Sequence, residues 1–168
     1  EGFGVRLFDT TFYKPPGFLP DGEARMRALQ VRKTDMEEVG IRPKPGPITE
    51  DFGRVVLGYQ PDLIGFSIIE CTYRLSLELA RAISGYRREA LRVFGGVHAT
   101  FAPEKLLAEE LIDVVCVGEG EYPMLELADS MDKGAPDLSI RNLWFKKNGQ
   151  VISNDVRPLI QDLDSLPM

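Results

Sequence analysis

The sequence predicts a single α/β domain built on a doubly wound parallel sheet. Two observations carry this. Strand-like apolar runs alternate with helical periods three times between Asp62 and Gly134, the pattern of parallel strands joined by right-handed crossovers. The run "DLIGFSII" shows no polar alternation, as expected of a strand covered on both faces, and "IDVVCVGEGE" reads as another buried strand. At 168 residues the chain has the size of one domain and can bury roughly two-thirds of its unfolded surface.

Each element follows in order. "FGVRLF" is a short apolar run ending at Asp9 and predicts a buried strand. Thr10 to Pro47 reads as an insert. In it Asp21 caps a charged helix through about Val39, whose stripe of Met26, Leu29, Met36 and Val39 is interrupted by Lys33. "KPPG" and "RPKPGP" punctuate its ends. "ITEDFGRVVLGY" predicts a helix with Phe52, Val55, Val56 and Tyr59 on one face. After the strand "DLIGFSII", "TYRLSLELARAISGY" places Leu75, Leu79, Ile83 and Tyr86 at helical spacing. "LRVFGG" is a strand ending in two glycines. Pro103 suits the first turn of a short helix carrying Leu106, Leu107 and Leu111. After "IDVVCVGEGE", Pro123 opens a helix with Met124, Ala128 and Met131 that stops near Gly134. In "LWFKKNGQVIS", Asn148-Gly149 between two strand-like runs is a strong hairpin signal. "RPLIQDLDSLPM" has no period and reads as a linker. The organisation is therefore an α/β domain over 1–138 and a hairpin with linker over 139–168.

Composition excludes several functions. Lys and Arg number 20 against 26 Asp and Glu, a formal charge of −6, which lacks the basic footprint of a nucleic-acid binder. No apolar run approaches a membrane span and no signal peptide opens the chain, so no membrane partner is expected. Cys71 and Cys116 lie far apart in apolar contexts and read as reduced, cytoplasmic thiols that form no cysteine-rich metal site. The start without Met and the end at "DLDSLPM" read as a fragment cut at both ends.

In a doubly wound sheet, ligands bind outside the carboxyl ends of the strands. Three loops qualify: Ser67 to Tyr73, Gly95 to Phe101 and Gly118 to Tyr122. They hold glycines, hydroxyls, carboxylates and His98, the one histidine of the chain, but little positive charge. That chemistry suits a large amide-rich ligand better than a polyphosphate. Turn-forming glycines alone are the simpler reading of any one loop. No Ser-His-Asp set, catalytic carboxylate pair or phosphate loop can be assembled, and no metal site is expected.

Four segments in order, "PDLIGFSIIECTY", "VFGGVHATFAPEKLL", "VVCVGEGE" and "RPLIQDLDSLP", resemble the cobalamin-binding domain of B12-dependent radical SAM enzymes, across about Pro61 to Met168. The resemblance implies a Rossmann-like, flavodoxin-like cobalamin-binding fold. Ser67-Ile68-Ile69 and Gly95-Gly96 match the family's Ser-x-Leu and Gly-Gly, with Ile in place of Leu, and Gly118 to Glu121 resembles the loop after the fifth strand. In that family a radical SAM barrel follows, with a 4Fe–4S cluster on three cysteines and S-adenosylmethionine; no such cysteine motif occurs here. "EGFGVRLFD" resembles the family's second strand, so the first βα unit is expected to be missing. The other assignment makes "FGVRLF" the first strand, with the second inside the insert.

The resemblance implies roles for named residues. Ser67 bonds the base of the nucleotide tail, and Gly95 and Gly96 let the tail pass close to backbone. His98 and Thr100 meet tail or corrin amides; Glu119 and Glu121 accept from corrin amides. Ile69, Glu70, Thr72, Tyr73, Ala99, Gly118 and Gly120 complete the cofactor-binding set. Glu121 reads equally as a favourable charge at a helix start, and Glu70 as a solvated carboxylate. His98 is expected to line the pocket and not to be the lower axial ligand of cobalt. The leading function is a cobalamin-binding module of a B12-dependent radical SAM enzyme, of methyltransferase or radical oxidoreductase and cyclase type, held against the barrel of the same polypeptide. A degenerate Rossmann-like domain that binds no cofactor is one alternative. A flavodoxin- or receiver-like signalling domain is another, although Ser67 stands where a receiver carries its phosphoacceptor Asp.

Overall fold

The computed structural model describes residues 2–13, 46–85 and 89–166, together with 38, 40, 42 and 44. Pro47 leads into helix α1 (Ile48–Tyr59), where Glu50 and Asp51 face the positive end of the helix dipole. Its inner face is Ile48, Phe52 and Val56; Val55 is half-buried and Tyr59 is exposed, so the stripe is rotated from the expected one. Strand β1 (Leu63–Ser67) is followed by a 3-10 turn (Glu70–Thr72) and helix α2 (Tyr73–Ile83). Leu75, Leu79 and Ile83 are buried as their spacing required. Strand β2 (Leu91–Gly95) leads to short helices α3 (Val97–Phe101) and α4 (Pro103–Leu107), the latter with Pro103 at its start. Strand β3 (Val114–Cys116) precedes helix α5 (Glu121–Asp132). This helix begins two residues before Pro123, and Leu127 anchors it with 0% exposure. Strands β4 (Leu143–Lys147) and β5 (Gln150–Ile152) form the expected hairpin, with Asn148 and Gly149 at φ 53° and 76°, as a primed turn requires.

The strand order is β1-β2-β3-β4-β5. The first two pairings are parallel and the last two antiparallel, so the hairpin extends the parallel sheet as its far edge. Alternate strand residues serve two cores. Ile64, Phe66, Phe94 and Val115 join α1, α2, α3 and α4 on one face. Val93, Val114, Cys116, Leu143 and Phe145 join Leu127 of α5 on the other. Phe66 stacks on Phe94 with ring centroids 4.5 Å apart at the centre of the larger core.

Two expectations are corrected. "FGVRLF" forms no strand: residues 2–8 make no ladder, and Val5 and Leu7 are 89% and 86% exposed. An apolar run becomes a strand only with a neighbour to take its backbone bonds, and none lies beside it among the described residues. Only Phe8 of this run packs inward, its ring 5.1 Å from that of Phe52. Second, β1 is not covered on both faces. Ile64 and Phe66 are buried, but Gly65 and Ser67 between and after them are exposed. The helix expected over Asp21 to Val39, the "KPPG" punctuation and Tyr86 lie outside the described residues.

Candidate functional site

The carboxyl ends of the parallel strands lie level. Ser67 pairs with Gly95, and Phe94 pairs with Val115, which sets Gly95 beside Cys116. Strand side chains alternate in direction, so Gly65 and Ser67 share a face with Gly95 and Cys116, the face on which α5 packs. Three of these four positions carry a hydrogen or a hydroxymethyl group. The result is a strip of sheet backbone bare of large side chains and exposed at Gly65 and Ser67, termed the trough below. A Cβ placed on Gly95 would meet only Cys116 Cβ, at 3.4 Å, and one on Gly65 only Met124 Cε, at 3.8 Å. The Ser67 hydroxyl makes no hydrogen bond among the described residues. Cys116 is 3% exposed, and burial, then the charge of Glu121, pushes its thiol up to about 11. It is a protonated apolar wall and not a nucleophile.

Gly96 must be glycine for a reason internal to the fold. It sits at φ 96°, and a Cβ there would lie 2.7 Å from Ile68 O and 3.0 Å from Ile68 N. The β1 and β2 loops press backbone against backbone at this point: Ile68 N–H donates to Gly95 O at 2.8 Å, and His98 N–H to Ile68 O at 3.3 Å. Backbone of the loop after β1 occupies the space that a Cβ on Gly96 would need.

Several other expected contact groups are engaged within the protein. Thr72 Oγ1 accepts from Ile69 N–H at 3.0 Å and closes the turn after β1. Thr100 Oγ1 donates to Gly96 O at 3.1 Å and accepts from Gly118 N–H at 3.0 Å, tying the β2 loop to the β3 loop. Ala99 is buried in the larger core with 0% exposure. Glu119 accepts from Ile160 N–H at 2.7 Å. Gly120 and Glu121 enter α5, and the Glu121 carboxylate is exposed at its first residue. Glu70 is exposed after β1.

His98 lies elsewhere than the trough. Its ring is 5.0 Å from that of Tyr73, which packs against the larger core. Tyr73 OH donates to Glu109 Oε1 at 3.0 Å; burial first, then Glu109, pushes the phenol up to about 12. His98 Nε2 is buried without a partner among the described residues.

Large apolar side chains nevertheless stand out along this edge: Ile69, Val97, Phe101 and Tyr122 are 50%, 60%, 84% and 43% exposed. Ile69 lies in the loop after β1, Val97 and Phe101 at the two ends of α3 after β2, and Tyr122 in the first turn of α5 after β3. Among the described residues no His, Cys, Asp or Glu cluster could hold a metal ion, and no helix is long and apolar enough to cross a membrane.

Sequence reasoning missed the strap over 153–160. Asn142, 2% exposed and at φ 73°, donates to Val117 O at 2.8 Å and accepts from Arg157 N–H at 2.9 Å. Asn154 Nδ2 reaches the carbonyls of Leu138, Ile140 and Leu143 at 2.7–3.0 Å. Residues 157–160, the start of the segment read as a linker, are therefore held onto the loop after β3 and Asn142, and a cleft of about 420 Å³ opens beside them, lined in part by Tyr122, Arg141 and Arg157.

The family described as "B12 binding domain" matches residues 16–128. The chain belongs to this family. The B12-binding domain is 33% identical over 119 residues to the uncharacterized methyltransferase PH0819 of Pyrococcus horikoshii, covering 70% of this chain and 26% of that protein. It is 30% identical over 111 residues to the anaerobic magnesium-protoporphyrin IX monomethyl ester cyclase of Cereibacter sphaeroides, covering 64% of this chain and 18% of the cyclase. Its fold is similar to that of the cobalamin-dependent S-adenosylmethionine radical enzyme OxsB with aqua-cobalamin bound, at a TM-score of 0.58 and 22% identity over 66% of this chain and 16% of OxsB. The chain thus spans about a quarter or less of these relatives.

The trough fits the family's ligand. A flat heteroaromatic base needs a floor free of side chains and a polar group at its rim, and Gly65, Gly95 and Ser67 supply these.

Proposed function

We propose that this B12-binding domain holds cobalamin at the carboxyl edge of its parallel strands and presents it to a radical SAM domain of the same polypeptide, in a cytoplasmic enzyme of methyltransferase or radical cyclase type. The observation that carries the reading is the bare trough at Gly65, Ser67 and Gly95 in a chain whose family binds B12. Ser67 would bond the base of the nucleotide tail, and Gly65 and Gly95 would let it lie on the sheet. Ile69, Val97, Phe101 and Tyr122 would meet the corrin, since exposed apolar groups gathered on one edge mark a binding surface. Bound there, cobalamin supplies methyl-transfer or one-electron chemistry at cobalt; the radical SAM domain would hold the 4Fe–4S cluster and S-adenosylmethionine. This domain contributes binding and orientation. The relatives named as methyltransferase and cyclase support both reaction types.

The test is retention of hydroxocobalamin through gel filtration, read from its visible spectrum, with Gly65→Leu as the blocked variant. A Cβ at Gly65, which is exposed, meets only the flexible end of Met124 at 3.8 Å, so a side chain added there is expected to cover the trough while the fold stands. Wild type is expected to retain the cofactor and Gly65→Leu to lose it. Failure of the wild-type protein to retain it would favour a domain that packs without a cofactor.

A further inference from the structure

We infer that Met124 is the adjustable end wall of the trough and determines which lower bases of the cobamide class the domain accepts. The inference rests on the cofactor reading above and concerns a residue that reading does not use. One flexible side chain reaches into the trough. Met124 Cε lies 3.8 Å from the Cβ position of Gly65, and Met124 Cγ lies 3.8 Å from that of Gly120. The thioether therefore spans from the loop after β3 to the middle of β1, on the face it shares with Ser67. It is half-buried and packs against the smaller core.

The surroundings of Met124 are fixed. Its backbone N–H donates to Gly120 O at 2.9 Å. Leu127, one turn on, is fully buried, and Cys116 belongs to β3. The glycines have no side chain to withdraw. The length of bare floor running from Ser67 toward Gly65 is thus determined by the side-chain torsions of a single residue. Methionine is suited to this: it is unbranched, bends at low cost, and its polarizable sulfur and methyl group make favourable contacts with aromatic rings. A bicyclic base carrying two methyl groups, as in cobalamin, must press the Met124 methyl back. A cobamide with an unmethylated base presses it less, and cobinamide, which has no base, does not reach it.

The experiment uses the full polypeptide that carries this domain. Affinities for cobalamin, for the cobamide with an unmethylated benzimidazole base, and for cobinamide are measured in wild type, Met124→Ile and Met124→Ala. In parallel, the carbon-13-labelled methionine methyl resonance that disappears in Met124→Ala is followed in wild type. The stiff β-branched Met124→Ile is expected to weaken cobalamin roughly tenfold or more, to weaken the unmethylated cobamide less, and to leave cobinamide unchanged. Met124→Ala should narrow the difference between the two cobamides. The wild-type Met124 resonance should shift with cobalamin and stay in place with cobinamide. Equal losses for all three ligands in folded Met124→Ile overturn the inference, and so does an unmoved wild-type resonance with cobalamin bound, which decides the question if Met124→Ile does not fold. Wild type that binds none of the three overturns the cofactor reading instead.

Discussion

The two ends of the parallel strands are built in opposite ways. At the amino ends, charge is paired and enclosed. Arg92, 8% exposed, meets Asp113 through Nε–Oδ2 at 2.8 Å and Nη2–Oδ1 at 3.1 Å, and its backbone N–H adds a third bond to Oδ2 at 2.9 Å. Lys146 N–H donates to Asp113 O at 2.9 Å, and its ammonium group donates to Glu109 O. At the carboxyl ends, the Ser67 hydroxyl has no partner among the described residues, Gly65 carries no side chain, and Phe101 is 84% exposed. The difference teaches where stability and binding are separated. One end closes the sheet, and the other leaves a surface that a ligand can complete.

The largest expected effect breaks the closed end. Asp113→Ala leaves the Arg92 guanidinium buried without its bidentate partner, and loss of one member of a buried pair costs about 3–5 kcal/mol. Urea unfolding should show this loss, while the fraction that remains folded keeps the cobalamin affinity of wild type. A loss of affinity in fully folded Asp113→Ala would show that the two ends are coupled.

Asn142 lies between the two regimes. Asn142→Ala removes a donor to Val117 O and the acceptor of Arg157 N–H, and it places a Cβ-bearing residue other than asparagine at φ 73°. An unsatisfied buried group costs about 1–3 kcal/mol, so a loss of about 2 kcal/mol is expected. Faster hydrogen exchange at Arg157 and Ile160 should accompany it, because the strap and the loop after β3 are released together.

Tyr73 gives a smaller, pH-dependent effect. Its folded phenol holds the proton to about pH 12, above the ordinary value of 10.0, through burial and Glu109. The unfolded chain therefore gives up this proton first as pH rises. The stabilisation is fully present below about pH 10 and is lost as pH climbs through the folded value. Chemical unfolding between pH 10 and 12 should show a decline that is shallower in Tyr73→Phe.

The parallel half was legible because its signals are local. The apolar runs of β1, β2 and β3, the spacing of Leu75, Leu79 and Ile83, and Asn148-Gly149 each act within a few residues. The three edge loops followed from topology. What escaped depends on distant neighbours. "FGVRLF" has strand composition, but no described strand flanks it. Gly65 and Ser67 interrupt the burial of β1, yet a glycine and a serine in an apolar run carry no mark of which face is open. Asn142 and Asn154 bond carbonyls between 11 and 25 positions away, a range that periodicity cannot report. Met124 was placed on its helix but not at the trough, because that contact crosses from α5 to β1. The contact of Gly96 with the Ile68 backbone likewise crosses between two loops, beyond the reach of a local signal.

The smallest expected effect is none at all, and it concerns His98. A lower axial ligand must turn a ring nitrogen toward the centre of the corrin. The His98 ring instead lies against Tyr73, which is itself held by Glu109, and the His98 backbone N–H is bonded to Ile68 O. Its Nε2 is buried, so ligation would require the ring to leave Tyr73 and α3 to shift. Histidine-specific nitrogen-15 labelling should therefore leave the electron paramagnetic resonance lines of the cob(II)alamin-loaded protein unchanged, as should His98→Ala. Tyr73→Phe keeps the aromatic face and should also leave them alone. A nitrogen splitting that changes on labelling and disappears in His98→Ala would place imidazole on cobalt. The ligand would then sit over the larger core and not in the trough at Gly65, and the separation between the two ends of the sheet would have to be redrawn around Tyr73.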